Sequence, residues 1–548
     1  MKNIFFFISV IFIIACKKSS GSSSANNNHA PLATLSASVQ SVQPYIVKFN
    51  VMASDVDGDK LTYNWDFGNG TKKTGNAEES FTYELNNSFT VKVTVSDGNA
   101  NTSASIIINT AITNITVDAS TKYQTMEGFG GFEAQDVYWS GGPFTSNGFV
   151  NSLINDLGLT ILRENITTYF EDVNDDSDPH STDLTNFHYG SFTDHIQYLK
   201  DMKAAGLQKL IISCWSAPAW MKTNNNVNGP KADAPAYNPN PTSADNQLRT
   251  DMYEEFAERC VAYIKIIKKE TGIDVYAISL QNEPRFSEPY ESCVFNGDAL
   301  RDLIKVVGER FADDGITTKI FMPEDVGYLD GVSSMVQPTL NDANARKYVG
   351  IVAVHGYALD GVTANSPDAQ TWQTMYSWGA QYDMPLWMTE TSGFSNDMKG
   401  AIDLSKAMYT AITFGNVSGW LHWALSQQKI DEFALMSSSG EKSKRYYISK
   451  NFYRYVRPGD HRIKASSDDG TNIYPVAFKN DISNTTTIVI INDNATDKPI
   501  KLSGNNLPAQ FNKYVTSSTD DCKDYGTVSS SDAVLLPANS VVTLYKKN

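Results

Sequence analysis

Eight short apolar runs alternate with amphipathic stretches between residues 125 and 425 of this 548-residue chain, and this alternation constrains the fold more than any other feature. Helical periodicity is clear in TDHIQYLKDMKAAG (193–206) and in YEEFAERCVAYIKIIKKE (253–270). Eight strands that alternate with helices over about 300 residues predict a (β/α)8 barrel. The predicted strands are EGFGGFEA (127–134), GLTILREN (158–165), KLIISCW (209–215), DVYAISLQNEP (274–284), TKIFMPED (318–325), YVGIVAVHGY (348–357), MPLWMTET (384–391) and SGWLHWAL (418–425).

A doubly wound α/β sheet is the competing architecture for such an alternation. That fold binds nucleotides through a glycine-rich loop after a strand. The segment GFGGF does not have the GxGxxG spacing, and no Walker sequence is present. The barrel is therefore the favoured fold.

The segments on either side of the barrel have strand and turn patterns. Residues 30–112 carry alternating runs such as FTVKVTV between turn signals such as SDGN, which predict a small β-sandwich. After RPGD (457–460) the same pattern returns and predicts a C-terminal β-sandwich. We expect a sandwich at 30–112, a strand at 113–124 that joins the side domain, the barrel at 125–440 and the side domain at 441–548.

The extreme N-terminus is typical of a lipoprotein signal. Lys2 precedes an apolar run at 4–15, which is too short to span a membrane. The run ends in IIAC, which resembles a bacterial lipobox, so we expect cleavage of residues 1–15 and lipidation of Cys16. Residues 16–29 would then be a flexible tether. The protein is expected to be exported and to contact membrane only through this anchor, at the outer membrane, the cell surface or the periplasmic face.

The net charge and the cysteine spacing argue against several classes of binding partner and ligand. A net charge of −16 argues against nucleic acid and anionic membrane surfaces and is compatible with a neutral substrate. Besides Cys16 there are four cysteines, without CxxC spacing or a Cys/His cluster, which argues against a zinc site, and we predict no metal. Their pairing into disulfides stays open. The acidic turn of Asp55, Asp57 and Asp59 lacks the glycine and final glutamate of an EF-hand, which favours a simple turn. We expect a monomer.

Two glutamates lie at the ends of predicted barrel strands. Glu283 ends the fourth strand and Glu390 ends the seventh, and the functional residues of such barrels lie at this carboxyl end. Glycoside hydrolysis needs one carboxyl group to protonate the leaving oxygen and another to attack the sugar. The two must therefore have different environments. Glu324 and Asp325, which end the fifth strand, are the rival carboxylates.

Other polar and aromatic residues at strand ends complete the predicted site. Arg163 would keep Glu390 ionised, since a nearby guanidinium lowers the pKa of a carboxylate, and Tyr357 would donate to the same carboxylate. Asn282 is placed to hydrogen-bond the sugar, whereas His355 is either a site residue or a core histidine. Flat rings stack on sugar faces, and the candidate platforms are Trp139, Trp215, Trp220, Tyr357 and Trp423.

These motifs together resemble a known family. NEP on strand four, a glutamate on strand seven, an arginine after strand two and HGY on strand six resemble clan A glycoside hydrolases. GFGGF, SLQNEP, LWMTE and NFYRYVRPG resemble glycoside hydrolase family 30 over about 115–548. The resemblance implies that Glu283 is the acid/base, that Glu390 is the nucleophile, that anomeric configuration is retained and that no cofactor is used. SDVDGDKLTYNWDFGNG resembles a PKD domain, which implies an immunoglobulin-like sandwich.

The resemblance leaves the substrate open within the family. The strand-four and C-terminal motifs resemble the xylanase branch. Glucuronoxylan-specific members carry an arginine in the loop after strand eight, but here SQQKIDEFALM (426–436) contains Lys429, Asp431 and Glu432 and no arginine. We therefore expect an endo-β-1,4-xylanase without strict glucuronate dependence. The alternatives are a β-1,6-glucanase, a β-1,6-galactanase, an exo-acting β-glycosidase or a catalytically silent glycan-binding lipoprotein, and the intact Glu283/Glu390 pair favours an enzyme over the last.

Overall fold

The computed structural model divides the chain into two compact units, Met1–Thr110 and Ala111–Asn548. Cys16 and Trp139 lie outside the described residues, so the predictions made for them stay predictions. The structure describes residues 28–132, 147–188, 193–229, 246–326, 332–357, 369–469 and 472–547.

The first unit is a sandwich of two antiparallel sheets with the orders β1-β2-β5 and β4-β3-β6-β7. Alternate residues of the strands point inward, as in Val91, Val93 and Val95, and they surround the buried Trp65. The predicted N-terminal sandwich is confirmed. Asp55 Oδ1 accepts the backbone N–H groups at 57 and 59, which is the geometry of an Asp turn. The strands are β1 (Leu32–Val42), β2 (Tyr45–Ser54), β3 (Thr62–Asp66), β4 (Lys72–Gly75), β5 (Glu78–Tyr83), β6 (Ser88–Ser96) and β7 (Asn101–Asn109).

The second unit contains a closed barrel of eight parallel strands in the order β10-β11-β12-β13-β14-β15-β16-β9. The predicted barrel is confirmed, and each strand overlaps one of the eight apolar runs of the sequence, although the fifth strand ends one residue after its run, at Val326. Gly130 lies so close to the neighbouring strand that a Cβ there would overlap the carbonyl oxygen of Ile161. The strands are β9 (Gly128–Phe132), β10 (Ile161–Asn165), β11 (Lys209–Ser213), β12 (Val275–Ser279), β13 (Lys319–Val326), β14 (Val349–His355), β15 (Leu386–Glu390) and β16 (Gly419–His422).

Helices surround the barrel because each presents an apolar stripe to it. In α3, buried Phe256, Cys260, Tyr263 and Ile267 recur at spacings of three and four residues, and Gly272 in the left-handed region ends the helix. The helices are α1 (Asn147–Asn151, continued as a π-helix over Ser152–Leu157), α2 (Thr193–Ala205), α3 (Tyr253–Thr271), α4 (Gly297–Asp313), α5 (Val332–Asn341), α6 (Ala343–Arg346), α7 (Ala369–Ala380), α8 (Met398–Phe414) and α9 (Lys444–Tyr453). Short 3-10 helices lie at Thr168–Glu171, Ala219–Met221 and Thr250–Met252.

A nine-stranded sheet, in the order β24-β23-β26-β21-β20-β19-β8-β22-β25, packs against the barrel helices. The strand that precedes the barrel, β8, pairs antiparallel with β19 and parallel with β22. In β21, Ile488 and Ile490 face the sheet's own core, whereas Val489 and Ile491 join the core of the barrel. The strands are β8 (Thr113–Thr125), β19 (His461–Ser467), β20 (Ile473–Asn480), β21 (Thr485–Asn492), β22 (Lys498–Asn505), β23 (Gln510–Thr516), β24 (Lys523–Ser529), β25 (Ala533–Leu536) and β26 (Ser540–Lys547). A small pair, β17 (Ser426–Gln427) and β18 (Met436–Ser437), closes the loop after β16.

The cysteines of the described part are all buried, unpaired thiols, at positions 214, 260, 293 and 522. Among the described residues, no helix is long and apolar enough to cross a membrane.

The shared core predicts that the sheet and the barrel unfold together. Ile491→Ala should lower the free energy of unfolding of the Ala111–Asn548 unit by about 2–5 kcal/mol, the usual cost of such a cavity. Ile482→Ala is the matched control, because Ile482 is fully exposed and should leave stability unchanged. Scanning calorimetry of the full chain measures both, and separate melting of barrel and sheet in the Ile491 variant would contradict the shared core.

Candidate active site

Glu283 and Glu390 lie together at the carboxyl end of the barrel. Glu283 follows β12, and Glu390 is the last residue of β15. One side-chain oxygen of each and one ring nitrogen of His355 all lie within 4.8 Å of one another. The two carboxyl groups of retaining glycosidases are about 5–5.5 Å apart and those of inverting enzymes about 6.5–9.5 Å. The geometry therefore suits attack by one carboxylate rather than by a water held between the two.

The backbone at Glu283 is held in an unusual conformation. Its φ is +45°, in the left-handed region that residues other than glycine rarely adopt. The N–H group of Glu283 donates to the carbonyl oxygen of Glu324 at 2.8 Å, and the carbonyl oxygen of Glu283 accepts from Phe286. This turn aims the Glu283 side chain, which is 16% exposed, at the barrel mouth. Strain of this kind is concentrated at functional sites.

The guanidinium of Arg163 lies at the bottom of the site, where it is fully buried and contacts four side chains. Nη1 donates to Glu390 Oε2 at 2.6 Å, and Nη2 donates to Asn282 Oδ1 at 2.6 Å. Nη2 also lies 2.7 Å from Glu324 Oε1, and Nε donates to Ser213 Oγ at 3.0 Å. Although burial alone would lower the pKa of Arg163, the charges of Glu324 and Glu390 raise it. Glu390 is thus held against a permanent positive charge.

The other cation of the site is His355, which the structure places among the carboxylates rather than in an apolar core. Its Nδ1 lies 2.8 Å from Glu283 Oε1 and 3.8 Å from Glu390 Oε2, and its Nε2 lies 3.6 Å from Glu324 Oε1. Burial alone would lower the pKa of His355, but the neighbouring carboxylates raise it to about 10. His355 is therefore protonated at neutral pH.

Glu283 and Glu390 have different environments, as acid–base chemistry requires. Burial raises the pKa of Glu283 to about 7, the charge of Glu390 adds to this rise, and the hydrogen bond from His355 opposes it. Glu390 instead accepts hydrogen bonds from Arg163 and from the hydroxyl of Tyr357. Burial and the charge of Glu390 raise the pKa of Tyr357 well above its usual value, so this hydroxyl stays a donor. The two carboxyl groups therefore differ in their surroundings, as a proton donor and an attacking carboxylate must.

The rival carboxylates face inward. Glu324 is fully buried beneath Arg163. Burial alone would raise its pKa, but Arg163 and His355 lower it. Asp325 forms a buried ion pair with Arg285. Neither carboxylate opens to the cleft, so both serve as supporting charges.

The aromatic candidates divide into two groups. Trp215 and Trp423 share a cluster with Phe132, with ring centroids of Phe132 and Trp423 4.2 Å apart. Trp215 also lies against the Arg163 guanidinium, 4.6 Å from ring centroid to carbon, and Trp423 is partly exposed. Trp220 packs on the main barrel core instead, and its indole N–H donates to the carbonyl oxygen of Glu171. These contacts do not join Trp220 to the cluster of Phe132, Trp215 and Trp423.

Sequence reasoning missed two aromatic residues. Phe132 is the last residue of GFGGF, and its ring stacks on Trp423. Tyr290, in the loop after β12, is 55% exposed. Partial burial raises the pKa of its hydroxyl, and the charges of Glu288, Glu283 and Glu390 add to this rise. Its position six residues after the NEP motif (282–284) is the sequence feature that could have indicated Tyr290.

Two groups of described residues have the donor atoms for a metal ion. The first is Glu283, His355 and Glu390, whose charges are already balanced by Arg163 and by the protonated imidazole. This group fits acid–base chemistry without a cation. The second group lies elsewhere and consists of Glu171, Asp175 and Glu255.

The barrel and the N-terminal sandwich both match known protein families. Residues 159–427 match the glycosyl hydrolase family 30 TIM-barrel domain, and residues 32–110 match the PKD domain, which confirms both resemblances. Glucuronoxylanase XynC of Bacillus subtilis strain 168 is 26% identical over 451 residues, 79% of this chain and 92% of that protein. A solved family 30 endoxylanase from Clostridium papyrosolvens C71 has 26% identity and a TM-score of 0.64, covering 79% of this chain and all of that chain. The endo-β-1,6-glucanase BT3312 shares the fold, at 18% identity and a TM-score of 0.58 over 89% of this chain and all of that one.

The raised pKa of Glu283 predicts the alkaline limb of the pH profile. Because Glu283 donates only when protonated, kcat/KM on a polysaccharide should be high below about pH 7 and should fall as pH rises through that value. Glu283→Gln cannot titrate, so its residual activity on an activated aryl β-glycoside should lack this limb. Initial rates across pH measure both enzymes. A limb that persists unchanged in the Gln variant would assign it to another group.

Proposed function

Residues 159–427 form a glycosyl hydrolase family 30 barrel, and from that premise we propose that this glycoside hydrolase is a retaining endo-β-1,4-xylanase without strict dependence on glucuronate. The observation that carries the chemistry is the asymmetric carboxyl pair. Glu283 has a raised pKa, and Glu390 is held between Arg163 and Tyr357.

In the first step Glu390 attacks the anomeric carbon from the face opposite the leaving group. The bond between that carbon and the glycosidic oxygen breaks, and the proton of Glu283 moves to the departing oxygen. In the second step Glu283, now ionised, takes a proton from water while the water oxygen bonds to the anomeric carbon and Glu390 leaves as a carboxylate. Two inversions give net retention.

The charges of the site support this change of role at Glu283. In the free enzyme the negative charge of Glu390 helps to raise the pKa of Glu283 and keeps it protonated. The covalent intermediate neutralises Glu390, so this repulsion disappears, while the nearby His355 cation continues to favour an ionised Glu283. The pKa of Glu283 should therefore fall between the two steps, which makes it a base when water must be activated.

Azide separates the two proposed roles. Glu283→Ala should lose about 10²–10⁴-fold on polysaccharide and much less in the first step on an aryl glycoside with a good leaving group, which needs little protonation. Azide should rescue this variant and give a β-glycosyl azide, because it attacks the intermediate without a base. With Glu390→Ala, azide should enter directly from the vacated side and give the α-azide. Product stereochemistry by NMR checks both, and exchanged outcomes would reverse the assignment.

The substrate proposal rests on the loop after β16. Its exposed cation is Lys429, which cannot form the bidentate clamp that a guanidinium forms with a carboxylate. The nearby guanidinium, that of Arg445, is buried and donates to the carbonyl oxygens of Phe394, Asp431 and Ala434. Arg445 therefore stabilises the loop through its backbone, and its guanidinium is not available to bind a substrate carboxylate.

The acids of this loop have different roles. Asp431 Oδ1 accepts two backbone N–H groups of the loop, at 2.9 and 3.0 Å, so it shapes the turn. Glu432 is exposed and would repel an acidic branch. The similarity to an endoxylanase supports xylan as the polymer, and the loop supports tolerance of unbranched chains.

Removal of glucuronate branches tests the substrate proposal. The enzyme should release oligosaccharides from xylan at a similar rate before and after α-glucuronidase treatment. A charge-assisted clamp contributes about 1.5–3 kcal/mol, so strict dependence would instead appear as a loss of roughly ten-fold or more. Lys429→Ala should leave the ratio of the two rates unchanged. A loss confined to glucuronoxylan in this variant would make Lys429 the recognition residue.

A substrate panel separates the remaining alternatives. Cleavage of β-1,6-glucan or β-1,6-galactan in preference to xylan would replace the xylanase proposal within the same mechanism. Binding without turnover on every polymer, in a protein with both glutamates intact, would favour the glycan-binding alternative.

A further inference from the structure

A second cluster of carboxylates lies apart from the catalytic pair. Glu171 ends the 3-10 helix that follows β10, Asp175 lies in the loop after it, and Glu255 lies in the first turn of α3. One carboxylate oxygen from each lies within 4.8 Å of the others. Glu258, one turn further along α3, is also buried and acts electrostatically on Glu171.

Glu171 is the side chain that points to a ligand. It is 2% exposed, and no N–H or O–H group in the described part of the chain donates to either of its carboxylate oxygens. The Nε of Arg259 lies 4.0 Å from Glu171 Oε2, beyond hydrogen-bond distance, while its Nη2 donates to the carbonyl oxygen of Thr167. A buried carboxylate without such partners is costly unless a cation compensates it.

A second guanidinium near this cluster, that of Arg310, binds other groups. Arg310, which acts on Glu258, donates to Asp314, to the carbonyl oxygen of Pro179 and to Thr182. The four carboxyl groups therefore have two described guanidinium groups nearby, that of Arg259 at 4.0 Å from Glu171 and that of Arg310, which binds other partners.

The donor set selects one kind of ion. All the atoms are carboxylate oxygens, which hard cations prefer, and there is no Cys or His in the group to favour a softer metal. Calcium takes six to eight oxygens at about 2.3–2.6 Å, so ligands on opposite sides of one ion are at most about 4.6–5.2 Å apart. Oxygens that lie within 4.8 Å of one another can therefore share it.

We propose that Glu171, Asp175 and Glu255 bind one Ca²⁺ ion, with Glu258 beside them, and that the ion fixes the loop after β10. This segment reaches the catalytic face through two contacts. Thr168 Oγ1 donates to Glu291 Oε1 at 2.6 Å, in the loop that carries Tyr290, and Trp220 donates to the carbonyl oxygen of Glu171 at 3.2 Å. A bound ion would therefore stabilise loops on three consecutive strands. The prediction of no metal was based on the spacing of Cys and His residues. Such spacing does not indicate this site, because its ligands are carboxylates from separate elements.

Terbium, which replaces calcium and emits when a nearby tryptophan is excited, tests the site in the full chain. Protein treated with a chelator should bind one equivalent of Tb³⁺. The bound Tb³⁺ should emit when tryptophan is excited, because Trp220 contacts Glu171. Added Ca²⁺ should displace the Tb³⁺ and abolish this emission. Ca²⁺ should also raise the Tm of the Ala111–Asn548 unit by a few degrees, and Mg²⁺ should raise it less. Trp220→Phe should reduce the emission and keep the calcium-dependent Tm shift, which locates the ion.

Matched variants decide the outcome. Asp175→Asn removes a ligand from a partly exposed loop position and should weaken Ca²⁺ binding by about ten-fold or more. Asp176→Asn makes the same charge change at an exposed neighbour, whose Oδ1 bond to the backbone at 178 an Asn can keep, and should bind normally. No calcium-dependent Tm shift, equal effects of Mg²⁺ and Ca²⁺, or unchanged affinity in Asp175→Asn would each overturn the proposal. The last result would place any ion elsewhere, for example at the Asp55 turn.

Discussion

The buried guanidinium of Arg163 is the interaction on which the site depends. From β10 it reaches Ser213 on β11, Asn282 after β12, Glu324 on β13 and Glu390 on β15. A planar group with five donors can serve so many acceptors at fixed angles, whereas an ammonium cannot. Removal of one partner from such a buried network leaves uncompensated charge, which costs about 3–5 kcal/mol. The same contacts therefore hold the strand ends together and place a positive charge against Glu390, the proposed nucleophile.

Charge balance explains why the two glutamates differ. Arg163 and protonated His355 supply two positive charges, and Glu324 and Glu390 supply two negative charges. A further anion at Glu283 would be uncompensated in a buried setting, so its pKa rises. The fully buried Glu324 thus has an indirect role, since it uses part of the positive charge that would otherwise ionise Glu283.

The carboxylate cluster at Glu171 shows the same physics with weaker internal compensation. It has similar burial, yet the nearest guanidinium nitrogen described for Glu171 is 4.0 Å away, and Arg310 is engaged with other partners. In the catalytic site the balancing cations are part of the chain. Around Glu171 we propose that the balancing cation comes from solution.

The sequence by itself determined the barrel, its eight strands and the carboxylate pair, because these follow from local apolar periodicity and from the rule that strand ends share one face. It also indicated Arg163 and Tyr357 beside Glu390. Only the tertiary structure decided that Glu324 lies under Arg163, that Phe132 and not Trp220 joins the aromatic cluster, and that Glu171 approaches Glu255. These facts depend on side-chain direction and on contacts between residues far apart in the chain, which local pattern does not encode.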